Sequence, residues 1–193
     1  MKTRESGMPE ERLWRSFFDP EVLLATLGLN SSVRDVADFG CGYGTFSLPA
    51  ARIISGTLYG FDIDAQMIAA CEGRAVSENT ANVCFQIRDF VLNGTGLDDE
   101  SVDYVMLFNI LHAEDPGALL REAWRILNNS GLVAVIHWNY DPATPRGPSM
   151  DIRPQPVACQ KWVERAGFVV EGGIIELPPY HYGLLGRKKG YVP

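Results

Sequence analysis

The sequence predicts an α/β domain with a doubly wound, mostly parallel seven-stranded sheet that finishes in a C-terminal antiparallel hairpin. Short apolar segments alternate with helical patterns through the first two thirds of the chain, which is typical of βαβ units. A glycine-rich turn joins the first strand to the following helix. The last two strand patterns are joined across Pro178-Pro179, and so short a connection links antiparallel neighbours.

The first thirty residues predict a helical cap on a single domain that spans residues 1–193. Apolar residues recur at spacings of three and four, Asp19-Pro20 restarts the helix, and Gly28 ends it. Trp14, Phe17 and Phe18 belong to this pattern. Aromatic residues at helical spacing usually pack in a core, so packing on the sheet is the favoured interpretation. A roof over a ligand pocket is the alternative.

The remaining elements follow from apolar periodicity and from residues that start or stop helices. After the first strand, which ends near Asp38, the predicted strands are Thr57–Phe61, Asn82–Ile87, Val102–Phe108, Leu132–His137, Phe168–Leu177 and Tyr182–Lys188. The predicted helices are Phe46–Ile54, a helix capped by Asp64 that runs to Ser77, a helix from Asp115-Pro116 to Gly131, and Val157–Ala166.

One long segment has no periodicity. Residues 138–156 contain five prolines, and a loop of this length inside a compact domain is usually functional or disordered. We interpret it as a substrate-side loop in which Trp138 and Tyr140 form part of an acceptor pocket. Arg146 and Arg153 are candidates for holding an acidic acceptor, although solvated loop arginines are the simpler interpretation.

The first strand ends in the segment Asp38-Phe39-Gly40-Cys41-Gly42-Tyr43-Gly44. Alternating glycines let the backbone approach a ligand closely, and a helix behind them offers unpaired N–H groups to an anion. A dinucleotide fingerprint needs its third glycine at position 45, which is Thr45. The segment instead resembles motif I of the class I S-adenosylmethionine (SAM) dependent methyltransferases, D/E-x-G-x-G-x-G.

This resemblance extends over residues 34–188 and implies a fold and a ligand. Class I methyltransferases have a parallel sheet finished by a C-terminal hairpin, the arrangement that the sequence predicts here. Motif I holds the methionine end of SAM in that family. The resemblance therefore implies cofactor contacts at Asp38, Gly40, Cys41, Gly42 and Gly44.

Residues after the second and third predicted strands match the adenosine end of SAM. Asp62 lies 18 residues beyond Gly44, where a carboxylate accepts from ribose hydroxyls in SAM and dinucleotide sites alike. Asp64 is better explained as a helix cap. The resemblance implies that Asp62 binds the ribose, that Ile63 covers the adenine as an apolar lid and that Met67 is a further contact. It also implies that Asp89 accepts from the adenine amino group and that the backbone N–H of Phe90 donates to a ring nitrogen. An Arg88–Asp89 surface turn is the alternative for Asp89.

The segment after the fourth strand, Asn109 to Asp115, resembles the small-molecule, type 11-like branch of the family, whose members often carry a histidine here. The resemblance implies that Asn109 and Ile110 lie at the methionine amino group. The segment differs from the N/D-P-P-Y/F sequence of enzymes that methylate amino groups of DNA and of protein glutamine. Methyl transfer mainly requires positioning, and a base is optional. His112 is the first candidate for that base and His181 the second, with a structural role as the alternative for each.

Composition excludes several other classes of protein. With 193 residues, 46% hydrophobic and 21% charged, the chain is typical of one globular domain. A net charge of −7 disfavours nucleic acid and anionic membranes as partners. Three histidines and four cysteines without C-x-x-C spacing predict no metal site, and reduced thiols indicate a cytoplasmic protein. No segment suits a signal peptide or a membrane span.

The sequence therefore predicts a cytoplasmic enzyme, monomeric or homodimeric, that transfers a methyl group from SAM to a small-molecule acceptor. Two alternatives stay open at this point. One is a nicotinamide-dependent oxidoreductase on a related fold, against which Thr45 counts. The other is a SAM-binding module without catalytic activity.

Overall fold

A computed structural model describes residues 8–189, and the first seven residues of the predicted N-terminal cap lie outside this range. Seven strands form one sheet in the order β3-β2-β1-β4-β5-β7-β6, with the helices connecting them. The mostly parallel sheet with its antiparallel C-terminal end confirms the predicted fold class. The chain also divides into two compact units, residues 1–96 and 97–193.

The first unit contains three parallel strands and the helices between them. Its elements are α1 (Glu11–Arg15), α2 (Pro20–Thr26), β1 (Val36–Phe39), α3 (Ser47–Ile53), β2 (Leu58–Asp62), α4 (Ala65–Ser77), β3 (Val83–Ile87) and α5 (Phe90–Asn93). β2 pairs in parallel with β1 on one side and with β3 on the other. The whole of β1 is buried, as expected for a strand covered on both faces.

Local residues explain where these helices begin. The Asp19 carboxylate accepts from the backbone N–H of Val22 at the start of α2, and Pro20 occupies the first helical turn. The Asp64 carboxylate accepts from the N–H of Gln66 at 2.8 Å, which confirms its prediction as a helix cap. Helix α1 buries none of its residues, and Trp14, Phe17 and Phe18 are half-buried rather than buried in the core.

The second unit contains one parallel strand pair and the antiparallel hairpin. Its elements are β4 (Val102–Phe108), α6 (Pro116–Ile126), β5 (Leu127–Trp138), α7 (Pro156–Arg165), β6 (Phe168–Leu177) and β7 (His181–Lys188). β5 pairs in parallel with β4 and antiparallel with β7, while β6 pairs antiparallel with β7. The predicted hairpin is confirmed.

Strand β5 begins five residues earlier than predicted, and α6 ends at Ile126 rather than at Gly131. Leu127 already pairs with Val102, and the register then shifts before Leu132 pairs with Tyr104. The intervening residues Asn128–Gly131 are polar and Ser130 has a φ of 69°, so their sequence is typical of a turn. A bulge accommodates these residues within β5. The predicted start of β5 at Leu132 was wrong because residues of turn-like composition lie inside the strand.

None of the helices in residues 8–189 combines the length and the apolar character needed to cross a bilayer. Each unit has its own buried apolar side chains, including Phe39, Phe61 and Leu58 in the first and Tyr104, Leu107 and Val135 in the second.

Candidate functional site

The glycine loop follows β1 and is shaped by three residues with positive φ. Gly40, Gly42 and Gly44 have φ values of 78°, 52° and 70°, which glycine adopts without strain. The Phe61 carbonyl accepts from the N–H groups of both Gly40 and Cys41, at 2.8 and 2.9 Å. The loop is therefore anchored on the end of β2.

Asp62 lies beneath this loop and holds it directly. One carboxylate oxygen accepts from the N–H of Gly42 at 2.9 Å, and the other accepts from the N–H of Asp64 at 3.0 Å. The side chain is only 5% exposed, so it is not a solvated loop acid. Burial raises the pKa of Asp62, and the backbone N–H groups of Asp64, Gly42 and Ile63 oppose that rise. Two carboxylate oxygens have about four acceptor sites, so acceptor capacity remains for a ligand.

Asp38 is buried beside the same loop, at the end of β1. The Ser47 hydroxyl donates to its carboxylate at 2.5 Å, which links the strand to the start of α3. Burial raises the pKa of Asp38 to about 7, the Ser47 hydrogen bond lowers it, and the nearby Asp62 raises it further. The structure thus gives Asp38 a partner within the protein.

Thr45 is the residue at which a dinucleotide fingerprint would have glycine. Its side chain is 4% exposed, and its hydroxyl oxygen has no hydrogen-bond partner among the described residues. A buried hydroxyl without a partner is unfavourable unless a ligand satisfies it. The orphaned hydroxyl directly follows the segment that the sequence resemblance assigns to the methionine end of SAM, and a hydroxyl is a suitable donor to a carboxylate.

Two cysteines pack under the loop. The thiol of Cys71, on α4, donates to the Gly42 carbonyl at 3.1 Å and lies 3.9 Å from the Cys41 sulfur. The hydrogen bond to Cys71, and then burial, raise the pKa of Cys41. A Cβ atom at Gly44 would lie 3.1 Å from the Cys71 sulfur, so close packing adds a second reason for glycine there. The Cys41 thiol therefore stays protonated, and both cysteines act as packing groups.

The N-terminal segment lies against the glycine loop. The Tyr43 hydroxyl donates to the Pro9 carbonyl at 3.0 Å, and the Phe18 ring meets Phe46 edge-on with centroids 5.1 Å apart. Trp14 and Phe18 pack together, at 4.8 Å between centroids. These half-buried aromatic rings favour the alternative interpretation of the segment as a roof.

The other predicted adenosine contacts lie after β2 and β3. Ile63 is half-buried and Met67 is 7% exposed. Asp89 uses one carboxylate oxygen to cap α5, accepting from the N–H of Leu92 at 3.1 Å. Phe90 packs on Phe39, with ring centroids 5.2 Å apart. Arg88 donates to the carbonyls of residues 93 and 94, which accounts for its position in the turn.

In the second unit, the residues after β4 have an unusual backbone and an unsatisfied side chain. Asn109 has a φ of 56°, a conformation that asparagine tolerates better than most residues. Neither its amide nitrogen nor its amide oxygen has a hydrogen-bond partner in the described part of the chain. Ile110 follows it and is half-buried. An orphaned amide at this position suits a polar ligand.

The histidines of this unit are neutral and differ in exposure. His112 Nδ1 lies 3.3 Å from Nε2 of His137, and burial lowers the pKa of His112 to about 4. His137 is fully buried, whereas His112 is half-buried. His181 is 2% exposed against Trp138, with ring centroids 4.3 Å apart, and burial lowers its pKa to about 3. Burial therefore counts against His181 as a residue that meets an acceptor.

Arg153 organises the proline-rich loop from inside. Only 8% of it is exposed, so the interpretation as a solvated arginine is wrong. Its guanidinium donates to the carbonyls of Asn139, Asp141, Arg146 and Pro148 and to the Thr144 hydroxyl, at 2.6 to 3.4 Å. All three nitrogens are thus engaged within the loop. An acidic acceptor has no donor left on this side chain.

Among residues 8–189, no three histidine, cysteine or acidic side chains are grouped so as to hold a metal ion. The sequence did not predict the contact of His137 with His112, the unpaired Thr45 hydroxyl or the burial of Arg153. His137 ends an apolar strand, a position typical of a site residue in a parallel sheet. No sequence signal separates the buried Arg153 from an exposed loop arginine.

Comparisons with known proteins agree with this geometry. A family model described as a methyltransferase domain matches residues 36–131. A SAM-dependent methyltransferase from Aquifex aeolicus is 24% identical, with a TM-score of 0.81 over 93% of both chains. A Sulfolobus solfataricus protein assigned to the type 11 methyltransferases is 25% identical, with a TM-score of 0.69 over 92% of this chain and 96% of that one. Comparison with curated protein sequences gives no match.

A third solved structure contains the cofactor. Phosphoethanolamine N-methyltransferase 2 from Haemonchus contortus, in complex with SAM, is 15% identical, with a TM-score of 0.74 over 89% of this chain and 52% of that one. The fold and the matched residues define a methyltransferase domain. The chain belongs to the class I SAM-dependent methyltransferases, so it is an enzyme and SAM is its cofactor. The oxidoreductase alternative is therefore excluded.

Proposed function

We propose that this enzyme methylates a small molecule through an O–H or N–H group that loses its proton during the reaction. The observation that carries the proposal is the pair formed by half-buried His112 and fully buried His137. A neutral imidazole is the side chain best suited to take a proton near neutral pH. Burial lowers the pKa of His112 to about 4, so the ring is neutral at neutral pH and takes a proton only in step with methyl transfer, when the acceptor's proton becomes acidic.

The residues of the first unit fit the cofactor. We propose that Asp62 receives the ribose hydroxyls on its remaining acceptor sites, and that the Thr45 hydroxyl donates to the carboxylate of the methionine end. Gly40, Gly42 and Gly44 adopt the positive φ angles that turn the loop and let its backbone approach the ligand. The half-buried Ile63 and the free carboxylate oxygen of Asp89 serve the adenine end, with Met67 and Phe90 behind them.

In the second unit we propose that the amide of Asn109, and the backbone of Asn109 and Ile110, receive the amino group at the methionine end. We assign Asp38 and Cys41 a supporting role, because Asp38 holds Ser47 and Cys41 packs on Cys71 beneath the loop. Residues 1–30 form the cap and residues 138–156 the acceptor-side loop of a single domain. The four free cysteines support a reducing, cytoplasmic location, with the protein as monomer or homodimer.

When bound, SAM supplies an electrophilic methyl group, and its transfer breaks the carbon–sulfur bond and leaves S-adenosylhomocysteine. The protein orients the acceptor so that its lone pair forms the new bond in line with the bond that breaks. His112 takes the acceptor's proton at Nε2, which prevents positive charge from accumulating on the methylated product. The exposed Tyr140 supplies aromatic surface in the same unit, while Trp138 is fully buried and packs on His181.

The test is production of S-adenosylhomocysteine from SAM with a panel of small phenols, carboxylic acids and amines. Turnover with at least one such acceptor, and none with oligonucleotides or proteins, is expected. His112→Gln should lower kcat by about 100-fold or more, the usual contribution of a general base, and leave binding of S-adenosylhomocysteine unchanged. Equal kcat values for His112→Gln and wild type would refute the role of His112.

A further inference from the structure

Residues 8–18, which we call the strap, lie across the glycine loop of the first unit. The Met8 side chain packs on Gly42, where a Cβ atom would lie 3.0 Å from Met8 Cε and 3.6 Å from its sulfur. The carbonyl of Pro9 accepts from the Tyr43 hydroxyl at 3.0 Å. The start of the strap thus contacts two successive residues of the loop.

The strap has little packing of its own to hold it in place. Helix α1 within it buries no residue, and its Leu13 is exposed. At the end of the strap, the half-buried Phe18 meets the ring of Phe46 edge-on, with centroids 5.1 Å apart. Segments with few buried contacts open locally at a low cost in free energy. The strap is therefore suited to open and close while the sheet stays folded.

Arg74, on α4, links the strap to the loop. Its Nη1 donates to the Tyr43 carbonyl at 2.7 Å and lies 3.6 Å from a carboxylate oxygen of Glu11 in the strap. Glu78, at the C-terminal end of α4, accepts from the other two nitrogens of the guanidinium at 2.9 and 3.3 Å and fixes its position. One mostly buried cation thus holds the loop and the strap at once.

Three protein groups surround the backbone of Gly42. Asp62 accepts from its N–H at 2.9 Å, the Cys71 thiol donates to its carbonyl at 3.1 Å, and Met8 occupies the direction of a Cβ atom. The direction that remains is that of the second Cα hydrogen. A ligand that approaches the backbone here lies beside Met8, at the edge of the strap. Movement of the strap therefore changes access to the loop.

We propose that the strap gates cofactor exchange, with Arg74 and Tyr43 as positioning residues that latch it shut, so that SAM and S-adenosylhomocysteine enter and leave while it is open. This gate is independent of the methyl acceptor and rests on the proposed contact between the loop and the methionine end of SAM. Both latch contacts are weak, because Glu11 is partly exposed and Tyr43 makes one neutral hydrogen bond to the strap. A weak latch allows the strap to open for product release in each turnover.

The experiment is stopped-flow binding and displacement of S-adenosylhomocysteine on the full chain, followed by tryptophan fluorescence. Glu11→Gln removes the ion pair with Arg74, and Tyr43→Phe removes the hydroxyl that reaches Pro9. Because the latch contacts involve no ligand atom, free and loaded enzyme should be affected alike. The association and dissociation rate constants should both rise, about threefold in each single variant and about tenfold in the double variant, while Kd changes by less than about twofold.

Arg15→Gln is the matched control. Arg15 lies 3.8 Å from the same Glu11 carboxylate on the exposed surface of α1, so the variant removes an ion pair of Glu11 and keeps the latch. Its rate constants should equal those of wild type. Unchanged rate constants in the double variant refute the gate. A rise in the dissociation rate constant alone also refutes it, because the strap then supports the bound ligand without closing the entrance.

A separate variant tests the loop contact on which the gate rests. Thr45→Val removes the hydroxyl that we assign to the carboxylate of SAM, and it should weaken binding of S-adenosylhomocysteine by about tenfold. Unchanged affinity in this variant contradicts the contact, whereas unchanged rates in the latch variants contradict the gate. Neither measurement needs a methyl acceptor, so a failure of the gate is distinct from a failure of the role proposed for His112.

Discussion

Asp38 makes the stability of this enzyme depend on pH in an unusual direction. Its pKa in the folded protein is raised from 3.8 to about 7, mainly by burial. A carboxyl with a raised pKa binds a proton more tightly when folded than when unfolded. Its contribution to stability is therefore complete below about pH 4 and is lost as the pH rises through about 7.

The size of the effect follows from the same values. Moving a pKa from 3.8 to about 7 is worth about 4 kcal/mol at full ionisation, since one pH unit corresponds to about 1.4 kcal/mol. About 3 kcal/mol of this is lost between about pH 5 and pH 8, a range in which unfolding is measured readily. The Ser47 hydroxyl moderates the loss by donating to the ionised carboxylate at 2.5 Å.

The substitution Asp38→Asn removes the titration and retains an oxygen that accepts from Ser47. We expect the free energy of unfolding of the variant, relative to wild type, to rise by about 3 kcal/mol between pH 5 and pH 8. Urea unfolding at a series of pH values measures it. Asp98→Asn, at an exposed carboxylate, is the matched control and should show no such trend. A difference between Asp38→Asn and wild type that stays constant within about 1 kcal/mol over this range refutes the reasoning.

Two further predictions concern the site. Asp62→Asn should weaken binding of S-adenosylhomocysteine by more than about tenfold in calorimetric titration. The new NH2 group replaces one carboxylate oxygen, so one acceptor is lost and a donor faces the N–H of Gly42 or the ligand. A change of less than about threefold would show that Asp62 is misassigned. Arg153→Lys should raise the rate of amide hydrogen exchange in residues 139–149 by about tenfold or more without changing cofactor binding. A lysine ammonium group cannot make the six hydrogen bonds of the guanidinium. An unchanged exchange rate would contradict the role of Arg153 in holding the loop.

Much of the fold was predictable because its signals are local. The parallel strands are short apolar segments, Asp19 and Asp64 are helix caps, and the distance between the last two strands permits only an antiparallel hairpin. The start of β5 was not predictable, because the polar residues Asn128–Gly131 have the composition of a turn. Only the pairing of Leu127 with Val102 makes them part of a strand.

The candidate site was predictable to a smaller extent. The glycine loop and Asp62 follow from a motif and its spacing, whereas the capping role of Asp89 depends on α5, a four-residue helix without a clear periodic pattern. The contact between His112 and His137 joins residues 25 positions apart, and the burial of His181 depends on its packing against Trp138. Such facts belong to the tertiary structure, and no local pattern encodes them.

The way in which Arg153 holds its loop has a consequence for how the enzyme can change over evolution. Apart from the Thr144 hydroxyl, every group that accepts from Arg153 is a main-chain carbonyl. Carbonyls are present whatever side chain a residue carries, so the loop's shape is largely independent of its sequence. Most residues of 140–150 are therefore free to vary one at a time while their backbone stays in place. Gly147 is the exception, because its φ is 129° and a Cβ atom there would lie 2.6 Å from a guanidinium nitrogen of Arg153. A new acceptor preference can arise by point substitution in this loop, with Arg153 itself as the position that must not change.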